Sequence, residues 1–512
     1  MPRTMASMAH CLPRGRGVDL TGCTGTPAPT GQSARESTHE ESRMSIGTSV
    51  AAEIGLPDGY KGQALRPGDA EYDAARAVYN RMVDRRPALI VRPTGAADIR
   101  DAVAFARQQR LPLAVRCGGH SVAGVSMVEG GVQIDLSSLK GVQIDPERGT
   151  AICNAGVLWG EYDREAEMFG LATPGGRVTT TGVGGFCLGG GYGWLSTRHG
   201  LTCDNLVGAD LLTASGEMLH VTDETNPELM WGLRGAGANF GVVTSYEFRL
   251  HPVRPLMLAG LLAVPNDGDG ARDVARGFRD YIEQRPSEDL AAALITALAP
   301  PEDFVPPELV GKPVLLLVVA WLGDPSAAEE AIRPLRQLTA GGIDLVQPMP
   351  YTALQALLDP NNPPGMLNYH RGMHLTSLPD DVIDRYLANG REIGSPLTAG
   401  VIFHHGGAIA QVGENDTAVS DRNAPYMAHP IAAWEDAADT DREIAWVRDF
   451  TDAVSSVRTG RVYLNFEPET SEENVRAGFT AGKYERLAAL KAQWDPENLF
   501  NGNHNITPAR EG

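Results

Sequence analysis

A histidine stands directly behind two glycines in the segment RCGGHS, residues 116–121. Glycine carries no side chain, so it lets a backbone approach a flat or charged group closely. His120 could act there as a base, a ligand or a nucleophile. The hexapeptide alone is compatible with each of these roles, and the rest of the sequence must distinguish them.

Glycine-rich turns follow strand-like segments at three places, namely residues 118–119, 182–193 and 235–241. Each such turn can direct backbone N–H groups toward an anion. The middle turn interleaves Val, Phe, Leu, Tyr and Trp with its glycines, which indicates a packed turn and not a flexible linker. No GxGxxG opens the helix of a clean βαβ unit, and no GxxxxGK[ST] occurs. The three turns together favour a long ligand such as a dinucleotide.

Two histidine pairs, His370 with His374 and His404 with His405, raise the question of a metal. The HExxH pattern is absent, and no carboxylate stands at the position that a zinc protease would require. The sequence therefore predicts no metal site. The GxSxG pattern is absent as well, which argues against an α/β-hydrolase.

Charge and composition restrict the classes of partner. The chain has 44 Lys and Arg against 64 Asp and Glu, a net charge of −20. Such an acidic protein is a poor partner for nucleic acid or for an anionic membrane. No run of 18 apolar residues occurs, so no membrane span is predicted. The six cysteines form no CxxC pair, which disfavours a zinc site or a disulfide framework.

The first 50 residues are rich in Ser, Thr, Gly and Pro and lack the apolar region of a secretory signal. We expect residues 1–50 to form a disordered N-terminal extension. A cytoplasmic location is the corresponding expectation.

A βαβ unit over residues 87–121 must position His120. It comprises the strand ALIVRP, the helix AADIRDAVAFARQQ and the strand PLAVR. The turn with His120 then lies at the end of the second strand. From residue 256 to about 460, apolar strands alternate with helices and no glycine-rich ligand turn recurs. This second region is expected to provide substrate contacts.

Five segments carry a family resemblance. They are RPTGAADIRDAVAFARQQRLPLAVRCGGHSVAG, GGVQIDLSSLKGVQID, TTTGVGGFCLGGGYGWLSTRHGLTCDNLVGADLLTASGE, LMWGLRGAGANFGVVTSYEFRL, and YLNF with DPENLFNGNHNI. They resemble, in this order, the berberine-bridge-enzyme-like oxidases, which share the vanillyl-alcohol-oxidase-type fold. The resemblance covers about residues 55–255 and 460–512.

The resemblance implies an α+β fold. We expect a PCMH-type FAD-binding domain of two α/β subdomains over residues 51–255, completed by residues 461–512. Residues 256–460 are expected to form a substrate domain with an antiparallel sheet covered by helices.

The resemblance also implies how FAD is held. The family histidine that corresponds to His120 is bonded to the 8α-methyl group of the flavin. The cysteine that many members bond to flavin C6 is replaced by Val178, so we expect a single link, with Cys187 as a packing residue. Thr181 occupies the position that controls oxygen access and favours an oxidase. The expected cofactor-binding residues are His120, Arg116, Gly118, Gly119, Ser121, Gly124, Gly176, Thr180, Thr181, Gly182, Gly185, Gly190, Tyr192, Gly193, Val243, Asn503 and Asn505.

The substrate side is less determined by the resemblance. Tyr463 and Asn465 of YLNF should face the flavin and the substrate. Phe466 stands where the family often has a tyrosine base, and phenylalanine cannot accept a proton. The base must then come from another residue, and the candidates are Tyr426, Tyr369, His370, His404 and His405. Adjacent strand residues point to opposite faces, so at most one of His404 and His405 can face the site.

These implications define the expected function. The chain should be an FAD-linked oxidase that transfers a hydride to flavin N5 from a C–H beside an alcohol or amine of a small molecule. This molecule is expected to be a natural-product intermediate, a sugar or a cyclic amine. O₂ should reoxidise the flavin and give hydrogen peroxide. Two alternatives remain open, a flavin-dependent oxidative cyclase or oxygenase of secondary metabolism and a non-catalytic drug-binding resistance protein. The protein is expected to be a monomer or a homo-oligomer.

Overall fold

The computed structural model describes residues 56–57, 59–284 and 288–510. The expected N-terminal extension over residues 1–50 lies outside the described residues.

A small mixed sheet carries the turn with His120. Its strands follow the order β1-β2-β4-β3, with β2 and β3 both parallel to β4 and β1 antiparallel to β2. Helix α2 (Ala96–Gln109) covers the fourteen residues for which the sequence predicted a helix. It connects β2 to β3, so the predicted βαβ unit is present. The elements are β1 (Gln63–Leu65), α1 (Tyr72–Arg76), β2 (Leu89–Arg92), α2 (Ala96–Gln109), β3 (Leu113–Arg116) and β4 (Val132–Asp135).

A second, antiparallel sheet packs beside the first and has the order β5-β6-β10-β8-β9. Residues 175–200, here called the glycine-rich tract, run through the short helices α4 and α5 of this subdomain. The elements are β5 (Val142–Asp145), β6 (Thr150–Asn154), α3 (Trp159–Glu167), β7 (Leu171–Ala172), α4 (Val183–Leu188), α5 (Ser196–His199), β8 (Leu206–Leu212), β9 (Met218–Val221), α6 (Pro227–Leu233), β10 (Val242–Arg249) and β11 (His251–Pro252).

Ten strands of the described ranges form the largest sheet, of order β15-β12-β14-β13-β19-β20-β18-β21, with β16 paired to β12 and β17 to β20. Two further helices follow it. The elements are β12 (Met257–Pro265), α7 (Asp269–Gln284), β13 (Leu290–Leu298), β14 (Pro313–Trp321), α8 (Pro325–Leu338), β15 (Ile343–Asp344), β16 (Gln347–Met349), α9 (Tyr351–Gln355), β17 (Leu367–His370), β18 (Met373–Leu375), α10 (Asp380–Gly390), β19 (Ala399–His404), α11 (Ala408–Gln411), β20 (Tyr426–Trp434), α12 (Thr440–Ala453), β21 (Arg458–Val462), α13 (Glu472–Ala477) and α14 (Ala481–Trp494).

The two faces of the large sheet pack against different partners. On one face, Tyr426, Ala428 and Ile402 join a core built with helices α7, α8, α10 and α12. On the other face, Met427 and Phe403 join the core of the two smaller subdomains. Because successive side chains of a strand alternate between faces, residue parity decides which side chains can meet a ligand of the smaller subdomains. This α+β architecture is the predicted one.

A buried ion pair fastens the closing segment to the rest of the chain. Lys491 Nζ donates to the carbonyls of Asn239 (2.6 Å) and Phe500 (2.9 Å) and lies 2.7 Å from Asp495. Asp495 in turn accepts from the backbone N–H groups of Leu499 and Phe500, both at 2.8 Å. Every strong donor and acceptor in this cluster is therefore satisfied without water.

Lys491→Met should lower the free energy of unfolding by about 3–5 kcal/mol, because it leaves the Asp495 carboxylate buried without its cation. Arg385→Met is the matched control, since the exposed pair of Arg385 with Asp381 should contribute about 0–1 kcal/mol. Urea denaturation of both variants measures the difference. Equal losses in the two variants would contradict this role of Lys491.

Candidate active site

Two glycines bring the turn with His120 into direct backbone contact with the glycine-rich tract. A Cβ atom at Gly118 would lie 2.4 Å from the backbone nitrogen of Gly182, and one at Gly182 would lie 2.4 Å from the nitrogen of Gly118. No side chain fits between two backbones at that separation. The glycines of RCGGHS are therefore needed, at least at Gly118, for packing of one turn on the other.

His120 is held by two neighbours. Its Nε2 lies 2.8 Å from Thr180 Oγ1, and its ring stacks on Tyr79 with centroids 4.3 Å apart. Burial lowers the pKa of His120 to about 4, so the imidazole is neutral at pH 7. No residue of the described ranges is hydrogen-bonded to Nδ1, which leaves this nitrogen free to react. Tyr79 was not found by the sequence analysis.

Tyr463 and Asn465 dock on the glycine-rich tract. The Tyr463 hydroxyl accepts from Gly191 N–H at 2.8 Å and from Asn465 Nδ2 at 3.3 Å. Asn465 Nδ2 also donates to the Phe186 carbonyl at 3.0 Å, and a Cβ at Gly189 would overlap the Asn465 amide. Burial raises the pKa of Tyr463, so its phenol stays protonated. The structure thus brings both predicted residues to the tract.

A pair of buried histidines lies on the sheet face that is turned toward the smaller subdomains. His429 Nε2 is 3.3 Å from His370 Nδ1, and the His429 ring stacks on Phe466 at 3.6 Å with only 4° between the planes. Burial lowers the pKa of His370 to about 3 and that of His429 well below its usual range. Both rings are therefore neutral. Asn80 Nδ2 donates to the carbonyls of Val122 at 3.1 Å and of Asn368 at 3.0 Å, which places strand β17 near the turn of His120.

Two of the candidate bases lie on the wrong face of the sheet. Tyr426 joins the helix-side core, and its hydroxyl is 3.3 Å from Glu283. Tyr369 packs on the same helix-side core. Neither can meet a ligand of the smaller subdomains, so the structure corrects the expectation for both tyrosines. The physical reason is that successive side chains of a strand point to opposite faces. Residues 368 and 370 of β17 and residues 427 and 429 of β20 therefore face the smaller subdomains, and Tyr369 and Tyr426 do not.

The adjacent histidines separate as strand alternation requires. His405 lies on the face of the smaller subdomains, with its ring 5.5 Å from that of Tyr192 and its Nδ1 3.0 Å from the Ala424 carbonyl. His404 has the parity of Ile402 on the helix side, and its contact with Tyr192 is through its carbonyl. Of the predicted candidates, His370 and His405 thus remain near the smaller subdomains. His429 was missed, although it shares the parity of Met427 and Ile431.

The other expected cofactor residues divide into two groups. Several hold the turns together through hydrogen bonds. Arg116 donates to the Ala75 carbonyl, Ser121 accepts from Val125 N–H, and the Gly176 carbonyl accepts from Gln355. Others are buried among their neighbours, namely Gly124, Gly190, Gly193 and Val243. Gly119 has a φ of 70°, which favours glycine. Thr181 lies half-buried at the start of the tract.

The second group shows features that a ligand would satisfy. A Cβ at Gly185 would meet nothing within 4 Å, and Thr180, five residues earlier in the chain, is exposed. The amide oxygens of Asn503 and Asn505 are buried without a partner, as is Arg116 Nε. Unpaired buried polar atoms are costly, and the hydroxyl and N–H groups of a dinucleotide would pair with them. The residues present therefore fit FAD, and the open space at Gly185, three residues after the Gly182 contact, is the cradle available to it.

The cysteine of the tract is not positioned for a bond to a ligand. Cys187 is fully buried in the core, and burial raises the pKa of its thiol well above the usual value. Val178, which the family resemblance aligns with the flavin-linked cysteine of many members, carries no thiol. No group of three or more His, Cys, Asp or Glu within residues 59–284 and 288–510 could hold a metal ion. None of the described helices is long and apolar enough to cross a membrane.

The fold and these turns define an FAD-dependent oxidoreductase. Residues 87–222 match the FAD binding domain family, and residues 462–507 match the family described as berberine and berberine like. An FAD-linked oxidoreductase of Dictyostelium discoideum is 30% identical over 452 residues, which cover 88% of this chain and 95% of that protein. The chain therefore belongs to the berberine-bridge-enzyme-like family of FAD-linked oxidoreductases.

Two further comparisons concern 6-hydroxynicotine oxidases. The (R)-6-hydroxynicotine oxidase of Paenarthrobacter nicotinovorans is 29% identical over 90% of this chain and 99% of its own length. The crystal structure of 6-hydroxy-D-nicotine oxidase from Arthrobacter nicotinovorans superposes with a TM-score of 0.77 at 26% identity. It covers 89% of this chain and 100% of that chain. The predicted family and fold and the prediction of FAD are confirmed, and the covalent attachment through His120 stays a prediction.

Gly182→Ala and Gly185→Ala should have opposite consequences. Gly182→Ala inserts a methyl group against the Gly118 backbone and should cost about 1–3 kcal/mol of stability. Gly185→Ala meets no protein atom and should leave stability within about 0.5 kcal/mol. It should instead lower the flavin content, because its methyl group enters the cradle. Melting temperature and the flavin-to-protein absorbance ratio measure both effects, and full flavin content in Gly185→Ala would refute the cradle.

Proposed function

We propose that this protein is an oxidase with FAD attached covalently through His120, acting on a small molecule with an oxidisable C–H beside an alcohol or amine. The single observation that carries the proposal is the neutral His120 imidazole, which is bonded through Nε2 to Thr180 of the glycine-rich tract and keeps its other nitrogen free. The related 6-hydroxynicotine oxidases support a small organic substrate. Bound FAD supplies the hydride acceptor, and O₂ is the proposed final oxidant, which gives hydrogen peroxide.

The neighbours of His120 favour one attachment geometry. Thr180 occupies Nε2 and Tyr79 fixes the ring plane, so Nδ1 is the nitrogen available for a bond to the flavin. A neutral imidazole is the nucleophilic form, and the lowered pKa keeps His120 in that form. Because Val178 carries no thiol, His120 is the proposed sole link.

The histidine pair is the proposed proton acceptor for the substrate hydroxyl or amine. His370 Nε2 is 3.5 Å from the Asn368 amide oxygen, an acceptor, which assigns the proton of His370 to Nε2. His370 Nδ1 then accepts from His429 Nε2–H, and His429 Nδ1 keeps a lone pair. Proton transfer to His429 Nδ1 would be supported by His370 through the same hydrogen bond. Phe466 contributes its ring face and holds the plane of His429.

The tyrosine and the amide on the tract have a different role. The Tyr463 phenol is protonated and accepts two hydrogen bonds, so it can donate its own proton toward a bound molecule. Asn465 holds Tyr463 in place through its amide. These two residues orient and do not remove a proton. Thr181 supports the oxidase reading, because its modest size leaves room for O₂ near the cradle.

His120→Ala should abolish covalent attachment. After acid precipitation, the yellow colour should stay with the wild-type pellet and move to the supernatant for the variant. Mass spectrometry of the tryptic flavopeptide should place the mass of FAD on residues that include His120. His220→Ala, at an exposed histidine paired with Asp210, is the control and should keep the colour in the pellet. Colour in the His120→Ala pellet would show attachment elsewhere.

His429→Asn should slow anaerobic flavin reduction by about 10²–10⁴-fold, the usual contribution of a general base, while the covalent flavin remains. The substrate for this measurement is the best peroxide-producing member of a panel of alcohols and cyclic amines. A base whose pKa is lowered stays unprotonated as pH falls. Protonation of His429 should therefore not lower the wild-type rate of flavin reduction between pH 8 and 6.

The neighbouring His405→Asn is the control for the base assignment, since its Nδ1 is bonded to the Ala424 carbonyl. It should keep the reduction rate within about tenfold of the wild type, because the proposal assigns the proton to His429 and leaves the lone pair of His405 Nε2 unused. A wild-type rate for His429→Asn, or the larger loss in His405→Asn, would remove His429 from the mechanism.

A further inference from the structure

A buried arginine beside the candidate site has no carboxylate partner. Arg177 lies at the entry of the glycine-rich tract and is only 9% exposed. Its Nη2 donates to the Gly193 carbonyl at 3.3 Å, and its Nε is buried without a partner. No carboxylate oxygen of the described residues comes within 4.0 Å of its guanidinium nitrogens. A deeply buried cation without a counter-ion is rarely retained for stability.

The other deeply buried arginine of this region shows what a structural role requires. Arg422 is fully buried, and it forms two hydrogen bonds with the Asp204 carboxylate, at 2.6 Å and 2.9 Å. A third bond reaches the Thr417 hydroxyl at 2.6 Å. This chain thus pairs Arg422 with an internal anion and leaves Arg177 without one.

Three aromatic rings surround the guanidinium of Arg177. Its Cζ lies 4.0 Å from the centroid of Phe403, 4.2 Å from that of Tyr192 and 4.7 Å from that of Trp194. The ring faces attract the cation and restrict its side chain to one position. They supply no negative charge, however, so the cation is oriented without being neutralised.

The rings that hold Arg177 also line the region of the proposed base. Phe403 belongs to the sheet face that carries His429, and their ring centroids are 6.5 Å apart. Tyr192 directly follows Gly191, whose N–H binds the Tyr463 hydroxyl. The charge of Arg177 also contributes to the lowered pKa of His429. Arg177 therefore borders the space between the glycine-rich tract and the histidine pair.

We propose that Arg177 binds a carboxylate of the substrate, so that the oxidised molecule is a small organic acid anchored beside His429. This inference deepens the proposed oxidase function and rests on it. The guanidinium donates N–H groups to the carboxylate, and the aromatic surroundings exclude competing water. The oxidisable C–H then lies within one small molecule's length of the anchoring carboxylate.

Benzoate is the test ligand, with benzamide as its uncharged counterpart of the same shape. Calorimetric titration of the flavin-loaded protein should show at least tenfold tighter binding of benzoate than of benzamide. Arg177→Gln should remove this preference, and Arg177→Lys should retain part of it. Arg461→Gln is the matched control, because it removes a cation that Asp421 already balances at 2.7 Å. It should keep the preference.

A stability measurement separates recognition from a structural role. Arg177→Met removes a charge that nothing in the described structure neutralises, so the ligand-free variant should melt at or above the wild-type temperature. Benzoate should raise the melting temperature of the wild type and not that of the variant. A lower melting temperature of Arg177→Met, or equal binding of benzoate and benzamide by the wild type, would overturn the proposal.

The outcomes also distinguish this inference from the oxidase function itself. Flavin absorbance and peroxide release are measured on the same preparations. Oxidase activity without a benzoate preference would reject the anchoring role of Arg177 and leave the oxidase intact. A benzoate preference without flavin reduction by any member of a panel of alcohols and amines that carry a carboxylate would reject the oxidase. Arg177→Gln could also keep the preference for benzoate over benzamide and change flavin reduction. That result would show that the charge of Arg177 acts on the flavin and not on a substrate carboxylate, which also overturns the proposal.

Discussion

The contact between the backbones of Gly118 and Gly182 is the constraint on which the site depends. One glycine ends the strand-to-turn connection of the small mixed sheet, and the other precedes helix α4 of the antiparallel sheet. Two backbones in contact leave no freedom for the turns to slide. The same contact sets His120 against Thr180, two residues before Gly182. The position of the His120 ring is therefore a consequence of how two subdomains meet.

The large sheet provides the second half of the site, because its two faces pack against different parts of the protein. Its helix-side face is a closed apolar core, in which Tyr426 and Ile402 are packing residues. Its opposite face carries His370, His429 and Phe403 toward the glycine-rich tract. Chemistry is confined to one face because the other is covered by four helices. A one-residue shift of register in β20 would exchange His429 for a helix-side residue.

The sequence predicted the parts of this site that local patterns encode. The helix Ala96–Gln109 and the turn of His120 follow from hydrophobic periodicity and from glycine, and Tyr463 and Asn465 follow from the family resemblance. Tyr369 and Tyr426 were named as candidate bases, but both lie on the helix-side face of the large sheet. The face that a strand residue occupies depends on which strands pair and on which side the helices pack. Alternation around Met427 could have indicated His429, but no local signal distinguishes the inner face from the outer face.

Arg177 could not be recognised from the sequence for a different reason. An arginine within a glycine-rich tract is unremarkable until its burial and the absence of a carboxylate near it are known. Both are long-range properties, since Phe403 lies more than two hundred residues away in the chain. The same holds for Tyr79, which stacks on His120 from a separate segment.

The electrostatics of the site couple binding to proton transfer. His429 is a poor proton acceptor in the ligand-free protein, because burial and the cation of Arg177 both lower its pKa. A carboxylate bound to Arg177 would cancel that cation and raise the proton affinity of His429. Burial would still keep the ring neutral until the substrate offers its proton. In the proposed mechanism, the base would therefore become stronger when an acidic substrate is in place, and an uncharged analogue would leave His429 in its weaker state.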